Sequence, residues 1–427
     1  MEDNIKIIQE DNSRKDSSIS KLKAKDKFNI YSPNGSNGYI FSNFNEIKTQ
    51  VSNSNSKNKQ EKIRNPGVDI IRIIGMYGII INHLLFLYDK GAMVKYFKYS
   101  KYLKIMHILS FWHNNGFALI SGIVGYNSFK YSNLLYLWFD VLFYSVSINI
   151  YFKIFNRGSY IKSDLSKDLF PIIFHRYWYF SAYFGMYLFL PSINLGISNL
   201  KKNDFRLMII TMLFLFVFWR DVKNPNEDVF NMNGGFSLIW LLTYYLTGAY
   251  ISRYRHIYSG IKKYIYCLIC LLIYLISTYL FFFVYNYDLY PENKYYQKKI
   301  ISFLKQILTE RYDSILKVIQ SITMCLIFLQ ITYNKYINKI ICFLGPLVFG
   351  IYLIHNNILV KKNIISHSFD NESEKISLNS VFLLILFKAM KIFVFCIIID
   401  YFRNIIFIFL RIRRICIIFE IIMRKIF

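Results

Sequence analysis

Cysteine is sparse in this chain, with six residues in 427. Most of the six (Cys267, Cys270, Cys325, Cys342, Cys396 and Cys416) fall inside apolar runs. Cys267 and Cys270 form a CxxC, but no second pair or nearby histidine completes a zinc site, and no disulfide framework is implied. They read as packing residues, and no metal is expected. The N-terminus lacks the apolar core of a signal peptide and the Arg-rich, acid-poor pattern of a transit peptide, so the first insertion signal is the first membrane span. No internal repeat is evident, which counts against the inverted-repeat transporters. A basic stripe is missing too. The formal charge of +26 lies between apolar runs, where it sets topology and holds anionic lipid. A nucleic-acid partner is not expected.

Apolar residues are abundant instead. They make up 54% of the chain, 19% is aromatic and mean hydropathy is positive, which excludes an ordinary soluble enzyme and a wholly disordered chain. A bilayer span needs about 20 mostly apolar residues. Ten segments qualify: 68–88, 104–126, 134–154, 177–197, 205–220, 234–252, 264–285, 314–333, 340–360 and 381–402. The expected fold is therefore an all-α, polytopic integral membrane bundle of about ten transmembrane helices, occupying 66–410. Residues 1–65 are polar, rich in Asn, Ser and Lys, and read as a disordered cytosolic tail. Residues 411–427 read as a basic amphipathic helix lying in the interface, with Ile412, Ile415, Cys416, Phe419, Ile422, Met423 and Ile426 at helical spacing.

The positive-inside rule places both termini in the cytosol. Lys57, Lys59, Lys62 and Arg64 precede span 1, and Lys201, Lys202, Arg206, Arg253, Arg255, Lys262 and Lys263 fill inner loops. Asp221, Glu227, Asp228, Asp288, Glu292, Asp370, Glu372 and Glu374 then lie outside. One loop, with Lys90, Lys95, Lys98, Lys101 and Lys104, runs against the rule.

Ionisable residues within spans are costly and each is a functional candidate. Span 1 carries Asp69, Arg72, Asn82 and His83. Arg72 and His83 are eleven residues apart, three turns plus about 20°, so they share one helix face about 16 Å apart along the axis. Asp69 lies one turn from Arg72, within ion-pair reach. An Asp–Arg pair that aids packing, with His83 a satisfied interior residue, is the alternative. Span 2 holds His113, Asn114 and Asn115, with Ser121 and Gly122 as a close-packing or lining pair; His107 sits at its boundary and is expected to be interfacial. Asp140 in span 3 needs a partner inside the bundle. Span 4 opens with Tyr177, Trp178, Tyr179 and Tyr183, either an interfacial belt or a platform for sugar rings. Span 9 ends in His355, Asn356 and Asn357. On this topology His83 and His355 lie at similar depth, as two imidazoles of one site would. His175, His256 and His367 fall in loops and read as surface residues.

Taken together, these segments resemble the membrane-bound acyltransferase family 3, and within it bacterial-type polysaccharide O-acetyltransferases. Arg72 and His83 match the family's Arg and His separated by ten residues in the first span. The segment "GFALISGIVGY" is similar to its Phe-x-x-(Ile/Val)-Ser-Gly-Tyr, with Ile123 at the Tyr. "YWYFSAYFGMYLFLPSIN" and "GGFSLIWLLTYYLTGAYI" resemble later helices, and "FGIYLIHNN" resembles Phe-Gly-Val-Tyr-Leu-Ile-His-Asp-Asn, with Asn356 at the Asp. The likeness runs from about 64 to 410, in order.

The resemblance implies acyl transfer from acyl-CoA on the cytosolic side, acetyl-CoA being expected as donor, to a hydroxyl of a cell-surface or lipid-linked glycan. No permanently bound cofactor is expected. The partners are acyl-CoA, a glycan or glycolipid acceptor and membrane lipids, and the expected location is the plasma membrane. His83 matches the essential His and suits a base, since imidazole titrates near neutral pH. Arg72 matches the paired Arg and would contact the donor or order Asp69. Asn82, Asn114 and the His355-Asn356 segment are candidate donors to a tetrahedral intermediate; His113, Ser121 and Trp178 are candidate lining. An acyl-histidine intermediate and direct attack both stay open, as does succinyl in place of acetyl. Outside this class, a glycan or lipid transporter or flippase, or a scaffold without chemistry, would also carry intramembrane charge.

Overall fold

The computed structural model describes residues 65–426, apart from 88–89, 127, 156–164, 220–227, 229, 287–303, 306–307 and 309. The polar tail, Lys57, Lys59, Lys62 and Arg64 before span 1, and the loop acids Asp221, Glu227, Asp288 and Glu292 lie outside the described residues. The described residues are helical and contain no strand. In chain order the main helices are α1 (Pro66–Phe86), α2 (Ser100–Ser110), α3 (His113–Gly125), α4 (Tyr131–Phe155), α5 (Trp178–Ser198), α6 (Lys202–Leu213) and α7 (Leu238–Tyr254). There follow α8 (Gly260–Asn286), α9 (Ile315–Gln330), α10 (Lys335–Leu344), α11 (Val348–His355), α12 (Ile358–Asn363), α13 (Leu378–Phe409) and α14 (Ile412–Ile426).

Local chemistry sets several of these ends. The Asn65 side chain accepts from Gly67 N at 2.9 Å and Pro66 takes the first helical position, where its missing N–H costs nothing. Ser237, Asn334 and Ser377 cap α7, α10 and α13 in the same way.

Helix α1 joins two halves of the bundle. Its Met76, Ile80 and Leu84 pack with Tyr144 of α4, Ile351 of α11 and Ile385 of α13. Its Val68 and Ile71 pack instead with Leu119 of α3, Trp240 and Tyr244 of α7, and Cys325 of α9. Two glycines allow the tightest crossing, between α3 and α7. A Cβ at Gly122 would meet the Tyr245 carbonyl, and one at Gly248 would meet the Leu119 carbonyl. Only hydrogen fits where two backbones approach so closely.

Among the described residues, six helical segments are long and apolar enough to cross a membrane: Pro66–Phe86, Tyr131–Phe155, Trp178–Ser198, Gly260–Asn286, Lys335–His355 (α10 and α11 in continuity) and Leu378–Phe409. The chain is a multi-pass membrane protein. On α8 and α13 the apolar side chains face outward, with Leu268 55%, Ile276 58%, Phe387 59% and Phe395 62% exposed; these faces suit lipid, not water.

The other four expected spans differ. The segment expected at 104–126 is broken at Phe111–Trp112 into α2 and α3. The one expected at 205–220 is a 12-residue helix that runs on into a π-helical turn at Phe214–Trp219. Helices α7 and α9 have 17 and 16 residues. Helices α3, α7 and α9 are covered largely by protein, so they carry polar residues such as Asn115, Thr243, Gln320 and Ser321 in buried positions. Hydropathy alone does not distinguish such helices from lipid-facing ones.

The C-terminal helix α14 rests on the start of α4. Ser132 N donates to Glu420 Oε2 at 2.9 Å and Arg413 Nη2 donates to Asn133 Oδ1 at 2.6 Å. Its Ile415, Phe419 and Ile422 remain exposed, which leaves an apolar face beside a basic one.

Candidate active site

The face of α1 that carries Arg72 and His83 borders two adjoining cavities. The first, about 350 Å³, is lined by Arg72, Met76, Ser121, Tyr183 and Tyr187, among others. The second, about 400 Å³, is lined by Asn82, His83, Arg176, Trp178, Tyr312 and Lys361, among others. Ile79, Asn114, Tyr179 and Tyr352 line both. The two adjoining cavities together follow α1 from the level of Arg72 to that of His83, over the ~16 Å that eleven helical residues span.

At one end, Arg72 Nη1 donates to Asp69 Oδ1 at 2.8 Å. Asp69 is fully buried and lies against Gly345, where a Cβ would overlap the carboxyl group. Asp69 does not line the cavity; it holds Arg72, which does. Tyr179, Tyr183 and Tyr187 recur every four residues on α5, so they lie along one face. Tyr183 and Tyr187 stand 5.7 Å apart, and the Tyr187 hydroxyl donates to the Lys130 carbonyl at 3.0 Å.

At the other end, the rings of His83 and His355 have their centroids 5.2 Å apart. The two imidazoles expected at one depth are brought together. His355 is fully buried and its Nδ1 lies 2.6 Å from the Ile351 carbonyl. A carbonyl only accepts, so Nδ1 carries the proton, and a neutral ring then has its lone pair on Nε2. His355 Nε2 and His83 Nδ1 are both buried with no hydrogen-bond partner.

The remaining candidates divide. Asn82 lines the second cavity, but its amide is occupied: Oδ1 accepts from Ser110 Oγ at 2.8 Å and lies 3.0 Å from His107 Nδ1, and Nδ2 donates to the Ser110 carbonyl at 3.2 Å. It anchors the end of α2 beside His83. His107, expected at the interface, is only 4% exposed as part of this network. Asn114 lines both cavities and hydrogen-bonds the Tyr312 side chain. Ser121 lines the Arg72 cavity and donates to the Ala118 carbonyl at 2.6 Å. Asn356 lines the His83 cavity. His113 lines neither cavity. It is buried against Gly78 of α1, where a Cβ would overlap its ring, so it serves helix packing.

Trp178 and Tyr179 face the His83 cavity, whereas Tyr177 turns into the core, donating to the Leu353 carbonyl at 3.0 Å and accepting from Asn357 Nδ2 at 3.0 Å. Tyr183 lies in the Arg72 cavity instead. Trp178 packs on Phe236 at 4.4 Å, and Tyr312 stacks on Phe111 at 4.4 Å with the planes 1° apart, giving the cavity an aromatic wall. His175, expected as a surface residue, is exposed but lines this cavity at its rim.

Phe236, Tyr312, Arg176 and Lys361 escaped the reading of the sequence. Tyr312 and Phe236 precede helices in irregular segments where periodicity carries no information, and Lys361 follows span 9 in "VKKN", which reads as a basic flank. Arg176 Nε pairs with Asp168 at 3.0 Å. The Lys361 side chain makes no hydrogen bond or ion pair with any described residue, and burial lowers its ammonium to about 8. No acidic side chain lines this cavity among the described residues. The described residues contain no group of three or more His, Cys, Asp or Glu able to hold a metal ion.

Asp140 lies apart from both cavities and has its partner in α13. Arg403 Nη1 reaches Asp140 Oδ1 at 2.8 Å and Arg403 Nη2 reaches Asp400 Oδ1 at 2.8 Å.

The family model described as an acyltransferase domain matches residues 65–414. The chain therefore belongs to this family, membrane-bound acyltransferase family 3, and the match spans all fourteen helices apart from most of α14. No curated protein and no solved structure matches the chain.

Proposed function

On the premise that this chain is a membrane-bound acyltransferase of family 3, we propose that it moves an acyl group, acetyl in the simplest case, from cytosolic acyl-CoA to a hydroxyl of a cell-surface or lipid-linked glycan, with His83 as base. The observation that carries the reading is the pair of adjoining cavities that Arg72 and His83 line. A donor with phosphates at one end and a thioester at the far end of an extended arm matches a passage with a cation near one mouth and an imidazole at depth. In this reading both termini are cytosolic, the Arg72 end faces the cytosol of a plasma-membrane protein, and α14 lies in the inner interface.

The tautomer of His355 gives the base its orientation. With the His355 proton on Nδ1 and held by Ile351, Nε2 offers a lone pair beside His83, whose ring centroid lies 5.2 Å away, and a small shift that brings His83 Nδ1–H onto it gives both atoms the partner they lack. His83 Nε2 then carries the lone pair toward the cavity. It takes the proton of the glycan hydroxyl as the oxygen attacks the thioester carbonyl. The tetrahedral oxyanion collapses, the C–S bond breaks and the CoA thiolate leaves, taking up the proton from His83. Asn114 and Tyr312 are side chains near enough to the shared region to donate to the oxyanion. His355 acts as a positioning residue, as Asp69 does for Arg72.

The test is thiol release from acetyl-CoA by membranes bearing wild type or His83→Ala, with and without a crude glycan pool. Acceptor-stimulated release that disappears in the variant supports the reading. An active, well-folded His83→Ala protein, or release no greater than from empty membranes, removes it.

A further inference from the structure

The His83 cavity has an electrostatic feature that acyl transfer to a neutral hydroxyl does not use. Lys361, on α12, borders it with no hydrogen-bond or ion-pair partner among the described residues. No carboxylate among the lining residues offsets that charge, and the second cation, Arg176, is already paired with Asp168. Lys361 is half-buried, and an ammonium partly withdrawn from water with no counter-ion beside it favours an anionic ligand. The same cavity has the aromatic wall of Trp178, Phe236 and Tyr312. Ring faces suit the C–H faces of sugars, and a cation beside them suits an acidic substituent on the same sugar.

We infer that the acceptor is an acidic glycan, carrying a carboxylate or phosphate that sits on Lys361 while its ring stacks against Trp178 and Tyr312. The inference rests on the acyltransferase reading of this cavity and narrows its substrate class. The shared chemistry, an anion beside His83, has a second source: a dicarboxylic acyl group such as succinyl. The aromatic wall favours the acceptor, because an acyl chain has no ring to stack.

The test uses the full-length protein in nanodiscs and two acceptors matched in length, a uronic-acid oligosaccharide and its carboxyl-reduced neutral counterpart. A phosphorylated oligosaccharide is a third. The expected result is a preference for the acidic acceptors of about tenfold or more in kcat/KM. Lys361→Gln should lower that ratio by about tenfold and Lys361→Arg should retain most of it. Equal losses on acidic and neutral acceptors would assign Lys361 to the chemistry and overturn the inference. If wild type with neutral acceptors instead prefers succinyl-CoA to acetyl-CoA, and Lys361→Gln removes that preference, the anion belongs to the donor and the acceptor assignment falls.

Binding of the same oligosaccharides to His83→Ala protein is read separately by calorimetry. Tighter binding of the acidic form, lost on adding Lys361→Gln, supports recognition even where no turnover is seen. Equal binding of both forms overturns it. Absent thiol release with selective binding would point to a failure of the acyltransferase reading and not of the acceptor class.

Discussion

Two of the groups of charged or titratable side chains inside this bundle are built in opposite ways. In the first, Arg403 is 5% exposed and holds Asp140 at 2.8 Å and Asp400 at 2.8 Å, while the Tyr144 hydroxyl donates to Asp400 at 2.8 Å and Arg403 Nη1 reaches the Tyr136 hydroxyl at 3.2 Å. One guanidinium serves both carboxylates, and the cluster ties α4 to α13. In the second, His83 Nδ1 and His355 Nε2 are buried without partners, and Lys361 has no counter-ion among the described residues. A protein interior tolerates charge when it is paired. Groups left wanting partners are where a substrate supplies what the fold withholds. What separates these two groups is therefore not burial but the presence or lack of a partner.

The largest effect should come from breaking the satisfied cluster. Arg403→Met alone leaves two buried carboxylates facing each other, and the cost should be about 3–5 kcal/mol. A thermal melt of purified protein should show a large loss of stability or no folded protein. Arg403→Met combined with Asp140→Leu and Asp400→Leu should recover most of the loss, and a failure to recover would mean that the cluster does more than pair charge.

Next is His83→Ala. Loss of a general base should lower acyl transfer about a hundred- to ten-thousand-fold with the melting midpoint near wild type. If the melt collapses instead, His83 belongs with the structural cluster and the contrast fails. His355→Gln should cost less in rate, about tenfold to a hundredfold, because an amide oxygen can also accept from His83 Nδ1–H; the readout is a fall in kcat with the acceptor KM little changed.

The smallest effect is a pH dependence. Burial holds Lys361 at about 8, below the ordinary lysine value. The ammonium is present below that pH and is lost above it, so preference for an acidic over a neutral acceptor should fade between pH 7 and 9. The other titratable groups facing the cavity are His83, His175, Arg176, Tyr179, Tyr312 and Tyr352, with His355 behind His83. Using the ratio of the two acceptors cancels their effect on the common chemical step. A ratio constant over this range would separate Lys361 from acceptor choice.

Some of this was legible in the chain and some was not. A spacing of eleven positions from Arg72 to His83 puts both on one face of a helix whatever surrounds it, because helix geometry is local. Six apolar segments were recognisable as spans because lipid contact demands unbroken apolar sequence. The need of Asp140 for a partner was legible, but Arg403 as that partner was not, since a span's neighbours are set by packing. Helices α3, α7 and α9 were harder to delimit, because protein covers them and their apolar pattern can lapse.

What the sequence alone determined, then, is the membrane-bound helical class, the polar face of α1 and the family to which those motifs belong. Only the tertiary structure decided that His355 stands 5.2 Å from His83, that His113 packs against Gly78 away from both cavities, and that Tyr312 and Lys361 line the same cavity as His83. The physical reason is range. Periodicity and hydropathy act within one segment. A partner, or the lack of one, depends on groups that the fold brings together from hundreds of residues away.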